Sequence, residues 1–491
     1  VFPPDSRLER KSGFYISRSM CVDHNAVIYE INNQNLSYAA GRLFSCREAD
    51  RPGFCEKLRF NQRQFLLLPQ TRFFLLRLRS IYKRYFDDYK GRDQEMLDHV
   101  HDKNPKKKMR IVVCQQLDDD GVRHDRVLCK RIIAKGKNEI AKIMKWMRLF
   151  TSFGPASALQ AGWLMSLMKK AQASTPIFVN GGIIEFVKSP TFSSMSLTFT
   201  ELINPSFRFH AAVFSDDCSI GFRVGNNIYH ANLDISSCDA SHQHEMFLAF
   251  IEIFPLEWQE EVRALCDQSL LPLDLYSVDG EHRITVEALG YFLGSGHLTT
   301  TSINTFVVFL VVWWITRQNI TSLDEIHRLT EQTGYIFTVE HCEKVQDIQF
   351  LKHSPCYDID GIMRPVLNFG VLMRGSGSCH YDLPGRGSMQ SRMLAFQAAR
   401  LQGTYPYVDT PVLANMRRVA GAPSRSAIDA AEREGVGSKI EQDLPIMLRF
   451  DSHEFLARYD LHPVEEDQVV YEFGLLEFGW QIRNRGCHKV L

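Results

Sequence analysis

Apolar positions fall at helical spacing in several stretches of the chain. Residues 72–82 set Phe73, Phe74, Leu75, Leu76, Leu78 and Ile81 among Arg72, Arg77 and Arg79, a pattern that predicts an amphipathic helix. Residues 138–150 have the same spacing with basic side chains on the polar face, and 156–171 and 241–268 predict further helices. Between 172 and 235 the texture turns to β, with Ile177-Phe178-Val179, Ile183 to Val187, and then three short strands over 213–234. Residues 26–29 and 109–114 also read as strands, and 335–339 with 348–352 predict a strand pair. The longest apolar run, Phe306 to Ile315, is ten residues. It is a buried element, well short of the roughly 20 residues that span a bilayer. Beyond 362, Gly-rich loops lead into helical segments. No repeat or extended low-complexity tract interrupts the chain.

The 213–234 stretch organises the rest. Its first turn is the Asp216-Asp217 pair and its second is Gly225-Asn226-Asn227, residues that tolerate positive φ. Pairing across the second turn sets Asp234 opposite Cys218, beside Asp216 and Asp217, so three carboxylates converge at one rim of a small sheet. Two aspartates in a turn are common without any function. Like charges gathered at one rim repel, however, and a neutralising metal is the usual remedy. Magnesium takes oxygen ligands and keeps several waters. Nucleotidyl transfer needs two such ions about 3.5–4 Å apart, so carboxylates on rigid strands suit that chemistry.

Composition adjusts this picture only locally. The 491 residues exceed a single small core and predict two to four domains or subdomains. With 45% hydrophobic and 23% charged residues and a formal net charge of +0, the chain is an ordinary globular protein and not a simple nucleic-acid coat. Basic residues nevertheless crowd 101–150, from Lys106-Lys107-Lys108 through Arg148, a surface suited to polyanions in a channel. The twelve cysteines show no Cys-x-x-Cys pair, which predicts free thiols in a reducing compartment. The loose groupings His341-Cys342 with His353 and Cys356, and Cys379-His380, lack the spacing of structural zinc sites. The chain begins at Val1, so it is expected to be excised from something longer; it shows no signal-peptide pattern.

Two further patterns carry chemistry. Asp234 and Asp239 stand at Asp-x-x-x-x-Asp spacing, which places Asp239 in the turn or first helical residues beyond a strand, facing the same cleft. Downstream, residues 295–304 match Ser-Gly-x-x-x-Thr-x-x-x-Asn in full through Ser295, Gly296, Thr300 and Asn304. A flexible Ser-Gly loop leads into a helix on which Thr300 and Asn304 share a face. Taken singly this is also an ordinary capped helix. The two patterns together are a much narrower signal.

At these residues the chain resembles the palm of viral RNA-dependent RNA polymerases. The resemblance makes Asp234 and Asp239 motif A, and Ser295, Gly296, Thr300 and Asn304 motif B. Motif C, usually Gly-Asp-Asp, has no candidate after Asn304 except the weak rival Asp358-Ile359-Asp360. It is therefore Ser215-Asp216-Asp217, lying before motif A, with Ser in place of the usual Gly. That C–A–B order is similar to the permuted polymerases of permutotetraviruses and birnaviruses, specifically over about residues 205–360. The resemblance implies that Asp216 and Asp234, assisted by Asp217, ligate Mg2+ or Mn2+. It implies that Asp239 and Asn304 read the ribose 2′-hydroxyl, and that Ser295 and Gly296 form a mobile loop near the templating base. It also suggests Lys344 as a general acid (motif D), Lys352 as part of the primer grip (motif E), and Lys108 and Arg110 on the motif F strand, with Lys130-Arg131 as the alternative.

The expectation is an α+β right-hand polymerase. Fingers and the N-terminal region occupy 1–210, a permuted, ferredoxin-like antiparallel palm 211–360, and a helical thumb 361–491. It would copy an RNA template into RNA from NTPs in the host cytoplasm, within a viral replication complex, with template and nascent RNA and other viral replication proteins as partners. A reverse transcriptase or nucleotide cyclase would leave Asp239 and the 295–304 pattern unexplained. A non-catalytic RNA-binding or capsid protein predicts a basic arm or jelly-roll strand spacing, and neither is present.

Overall fold

The computed structural model describes residues 26–28, 31–41, 54–86, 131–137, 140–142, 148–173, 176–318, 320, 322–375, 383–402, 410–434, 443, 448–475 and 485–490. In chain order its strands are β1 (Ala26–Ile28), β2 (Ile132–Gly136), β3 (Ile140–Lys142), β4 (Leu149–Ser152), β5 (Ile177–Val179), β6 (Gly182–Phe186), β7 (Phe209–Phe214), β8 (Asp217–Val224), β9 (Asn227–Ile235), β10 (Leu273–Tyr276), β11 (Arg283–Val286), β12 (Phe337–His341), β13 (His353–Tyr357) and β14 (Met363–Leu367).

The central sheet has six strands in the order β12-β9-β8-β7-β6-β5. β7, β8, β9 and β12 are mutually antiparallel neighbours, whereas β6 and β7 run parallel. The sheet is therefore mixed, where the sequence predicted an antiparallel one. The cause is the helix Phe192–Ile203, which carries the chain from β6 back across the sheet to β7; parallel neighbours require such a crossover. That helix opens on a capping box between Thr191 and Ser194.

Both faces of β7 are covered, and it is apolar except for His210, which pairs with Glu185 at 3.0 Å. Phe209, Ala211 and Val213 enter the main core with Phe306 and Phe309, while Ala212 packs with Phe199, Leu202 and Ile348 on the other side. Alternate residues of one strand thus serve two cores, as the period of two requires. The helix Thr300–Thr316 lies under the sheet and is buried over almost all of its length, which explains its all-round apolar sequence. The N-terminal helices Phe54–Leu67 and Pro69–Phe86 close this core, with Phe74 stacked on Trp313 at 4.5 Å between ring centroids. The predicted 72–82, 156–171 and 241–268 helices fall within Pro69–Phe86, within Pro155–Ala173, and in His244–Glu252 with Gln259–Asp267.

Two expectations fail for the same reason. Within the helical spacing of 138–150, the described residues form β3 and the start of β4; 138–139 and 143–147 lie outside the described residues. β1 offers β3 and β2 offers β4 an antiparallel partner, and the Leu149 and Thr151 side chains bury as alternate residues of a strand. Likewise β12 pairs with β9 and not with 348–352. Residues 348–352 instead form a tight turn in which Leu351 and Lys352 have φ of 50° and 64°. β2, β4, β10 and β11 form a four-stranded sheet, order β11-β10-β2-β4, that joins residues 132–152 to 273–286. The C-terminal region is helical around a second core containing Leu413, Met416, Val469 and Phe473. Arg458 locks this region to the 348–352 turn: its guanidinium donates to Asp347 O at 2.9 Å and to Gln349 Oε1 at 2.9 Å.

Candidate active site

The β7–β8 turn is a two-residue loop, because Phe214 pairs with Asp217 and leaves Ser215 and Asp216 between them. Ser215 takes φ 57°, the left-handed region that Gly enters without strain. This is the physical reason a glycine suits the position. Serine is held there by its neighbours on the helix Thr300–Thr316: its backbone N–H donates to Thr305 Oγ1 at 3.0 Å and its hydroxyl accepts from Asn304 Nδ2 at 3.3 Å.

The first turn thus sits one residue earlier than the Asp216-Asp217 pair the sequence suggested, with Asp217 the first residue of β8, and the second turn is shorter than suggested. Val224 pairs with Asn227, so the loop is Gly225-Asn226 alone, with Gly225 at φ 61°. Shortening the turn by one residue shifts the register by one. Asp234 therefore lies opposite Asp217, and Leu233 opposite Cys218. The two aspartates are direct cross-strand partners, with side chains on one face and Cα atoms about 5 Å apart. Asp216 adjoins them from the turn.

The three carboxylates act on one another. Burial pushes the Asp217 carboxyl up to about 7; the Leu351 amide opposes this, Asp216 and Asp234 add to it, and Lys352 opposes it. The Leu351 N–H donates to Asp217 Oδ2 at 2.8 Å, which anchors the carboxylate to the 350–353 turn. Asp234, more open to solvent, is also raised, by burial and then by Asp216. Hard oxygen donors that repel one another across one rim fit a divalent metal. The only His, Cys, Asp and Glu trio among the described residues with ligand atoms mutually within 4.8 Å is elsewhere, at Asp279, Glu281 and His282 on the exposed β10–β11 tip. Geometry on adjacent strands is the better guide here, since carboxylates spanning two ions need not crowd within the shell of one.

Asp239 lies in the short helix Cys238–Ser241, entered through Ser237 at φ 51°. Its Oδ1 accepts from Asn304 Nδ2 at 3.1 Å, so the Asp-x-x-x-x-Asp spacing and the Asn of the helix meet in space. Burial raises its carboxyl, while Asn304, Lys137, a Ser295 hydrogen bond and Arg148 hold it down. The 295–296 loop rests on β4: Ser295 O accepts from Thr151 N at 2.7 Å. Gly296, at φ 100°, leaves no room for a Cβ, which would stand 2.5 Å from Thr151 O. Thr300 Oγ1 donates to His297 O at 2.8 Å and steadies the helix start rather than joining Asn304.

Other sequence candidates lie apart. Lys344 Nζ donates to Ala457 O at 3.0 Å and pairs with Asp460. Lys352 is exposed near Asp217. Lys108, Arg110 and Lys130 lie outside the described residues, and Arg131 is engaged with Asp274 at 2.9 Å. Asp358 holds a turn, accepting from Asp360 N at 3.0 Å and pairing with Arg364 at 3.0 Å in the separate β13–β14 hairpin. Sequence reasoning missed three residues. Thr305, one position beyond Asn304, faces Ser215. His242 and Tyr335, both buried, extend the Asn304 network, with His242 Nε2 2.8 Å from Asn304 Oδ1 and Nδ1 2.8 Å from Tyr335 Oη. A lone His and a lone Tyr gave no spacing signal that could have found them.

No protein-family model matches the chain, and no curated protein matches it. Among solved structures, two of the neighbours contain viral VP1 proteins. One is a birnavirus VP1–VP3 complex, at 13% identity and TM-score 0.39, covering 69% of this chain and 48% of that one. Another is the RNA polymerase VP1 of Infectious Pancreatic Necrosis Virus, at 13% identity and TM-score 0.38, covering 79% of this chain and 52% of that one. The chain thus spans about half the length of these neighbours. At such scores the likeness adds no weight to the site, whose reading rests on its own geometry.

Proposed function

We propose that the chain is a viral RNA-dependent RNA polymerase with a palm in which the motif C hairpin precedes motif A. The observation that carries the reading is the Asp217–Asp234 register, with Asp216 in the adjoining turn. It supports a metal-binding rim assembled from chain segments in the order C, A, B. Asp216 and Asp234, with Asp217 beside them, would hold Mg2+ or Mn2+. When bound, the metal supplies activation of the primer 3′-hydroxyl and neutralisation of the triphosphate.

The remaining chemistry belongs to the protein. Asp239 and Asn304 would form one polar network reading a ribose 2′-hydroxyl. Asp239 would accept from the hydroxyl, and Asn304, whose amide donates to Asp239 and Ser215, would orient that carboxylate. The Ser295-Gly296 backbone lies against β4 beside them. Lys352 is a cation at the same rim, suited to a phosphate of the primer. Lys344 would have to leave Asp460 to protonate pyrophosphate. In this reading 1–210, 211–360 and 361–491 serve as fingers, palm and thumb, with the β2–β4–β10–β11 sheet tying the first two together. The setting would be a replication complex in the host cytoplasm, with template and nascent RNA, NTPs and other viral replication proteins as partners.

Template-directed incorporation of labelled NTP with Mg2+ or Mn2+ tests the proposal. Asp216→Ala and Asp234→Ala should each abolish synthesis. Retained synthesis in both would remove the site assignment, and preference for dNTP over NTP would remove the RNA-polymerase reading.

A further inference from the structure

Asn304 can hold Asp239 for ribose reading only if its amide faces the right way, and nothing in an amide's shape fixes that. Rotated by half a turn, Asn304 would present its oxygen to the Asp239 carboxylate, and two acceptors would meet. The surroundings of His242 bear on which orientation holds. His242, Tyr335 and Asn304 are at most 3% exposed, so each of their polar atoms needs a partner within the protein.

The hydrogen-bonding capacities close in one way. Asn304 Oδ1 can only accept, so the 2.8 Å contact requires a proton on His242 Nε2. His242 Nδ1 then carries the lone pair and accepts from the Tyr335 hydroxyl at 2.8 Å. Burial holds the His242 imidazole down at about 4, so near neutral pH it has one ring proton to place. With the proton on Nδ1 instead, the Tyr335 O–H would lose this acceptor and Asn304 would turn its oxygen to Asp239. In the first arrangement every proton points toward the site, from Tyr335 to His242, from His242 to Asn304, and from Asn304 to Asp239 at 3.1 Å and Ser215 at 3.3 Å.

We propose that Tyr335 and His242 are positioning residues that fix the Asn304 amide, and thereby set discrimination for a ribose over a deoxyribose in the incoming nucleotide. The inference rests on the ribose-reading role given above to Asp239 and Asn304. Neither Tyr335 nor His242 touches the nucleotide; each acts through Asn304.

Tyr335→Phe tests it, since it removes one hydroxyl and keeps the ring. Steady-state kcat/KM for an NTP and for its 2′-deoxy analogue is measured in wild type and variant, together with thermal melts. The NTP to dNTP ratio should fall about tenfold, the scale of one misplaced buried hydrogen bond. It should fall by a loss for the NTP, which alone carries the hydroxyl being read, with kcat/KM for the dNTP within about twofold of wild type. An unchanged ratio in a folded variant, or an equal loss for both nucleotides, would overturn the inference. A second measurement needs no activity: 15N spectra of histidine-labelled wild type should show His242 protonated at Nε2 and bare at Nδ1. The opposite tautomer would overturn the relay. Wild type that incorporates no NTP would defeat the polymerase reading, while the 15N spectrum would still decide the relay.

Discussion

The carboxylate rim should destabilise the protein that its chemistry requires, and Asp217→Asn measures by how much. The Asp217 carboxyl titrates near 7 in the folded protein, against an ordinary value near 3.8. Below about pH 4 the folded and unfolded states are both protonated, and the group costs nothing. As pH rises from about 4 to 7 the unfolded chain releases its proton first, so folding stability falls through that window and levels off above about 7. At about 1.4 kcal/mol per tenfold in proton affinity, the full gap is about 4 kcal/mol. Asp217 keeps some contact with solvent, and asparagine can still accept from Leu351 N–H, so the gain for the variant should be about 2–3 kcal/mol at pH 8. Urea unfolding in EDTA at pH 3.5, 5, 6.5 and 8 provides the assay. The two proteins should be nearly equal at pH 3.5, with the variant progressively more stable toward pH 8. Adding Mg2+ or Mn2+ should narrow the difference by stabilising wild type. A pH-independent difference, or a variant less stable at pH 8, would refute the account of like charges crowded at this rim.

Two other outcomes follow from the same contacts. Gly296→Ala forces a Cβ to 2.5 Å from Thr151 O at φ 100°, so it should displace the 295–296 loop from β4, cost about 2 kcal/mol or more, and raise amide exchange at Thr151. Thr305→Val removes the acceptor of the Ser215 N–H at nearly constant volume; a loss of about 1 kcal/mol in urea unfolding is expected, with reduced nucleotide incorporation because the Asp216 turn loosens.

Much of the site was legible because its carriers are local. Turn residues bracket three short strands, so Asp216, Asp217 and Asp234 could be brought to one rim from sequence alone. The register was off by one because Gly225-Asn226-Asn227 does not show whether two or three residues make the loop; only pairing to Val224 decides it. The helix bearing Asn304 was legible from its motif and its apolar run. The described parts of 138–150 were misread because helical spacing is a local property, while β3 finds its strand partner in β1 and β4 in β2. His242 and Tyr335 are 93 positions apart, and their shared hydrogen bond exists only once β12 is paired with β9. The crossover that makes β6 parallel to β7 was likewise invisible, since strand texture does not encode direction.

The direct passage from β7 through β8 to β9 also bears on the order in which the molecule can assemble. Asp216 to Asp234 is one uninterrupted meander joined by two-residue loops, so its closure entropy is small and it can form early, while the chain is still emerging. The residues that border the rim from farther along the chain arrive much later: Asn304 and then Tyr335 must be synthesised, and the sheet joining 132–152 to 273–286 must close a loop of well over a hundred residues. The acidic hairpin is thus a local nucleus, and the Asn304–His242–Tyr335 network a late, long-range addition. Folding intermediates of this chain are expected to expose a formed carboxylate rim before the buried Asn304–His242–Tyr335 hydrogen bonds surround it.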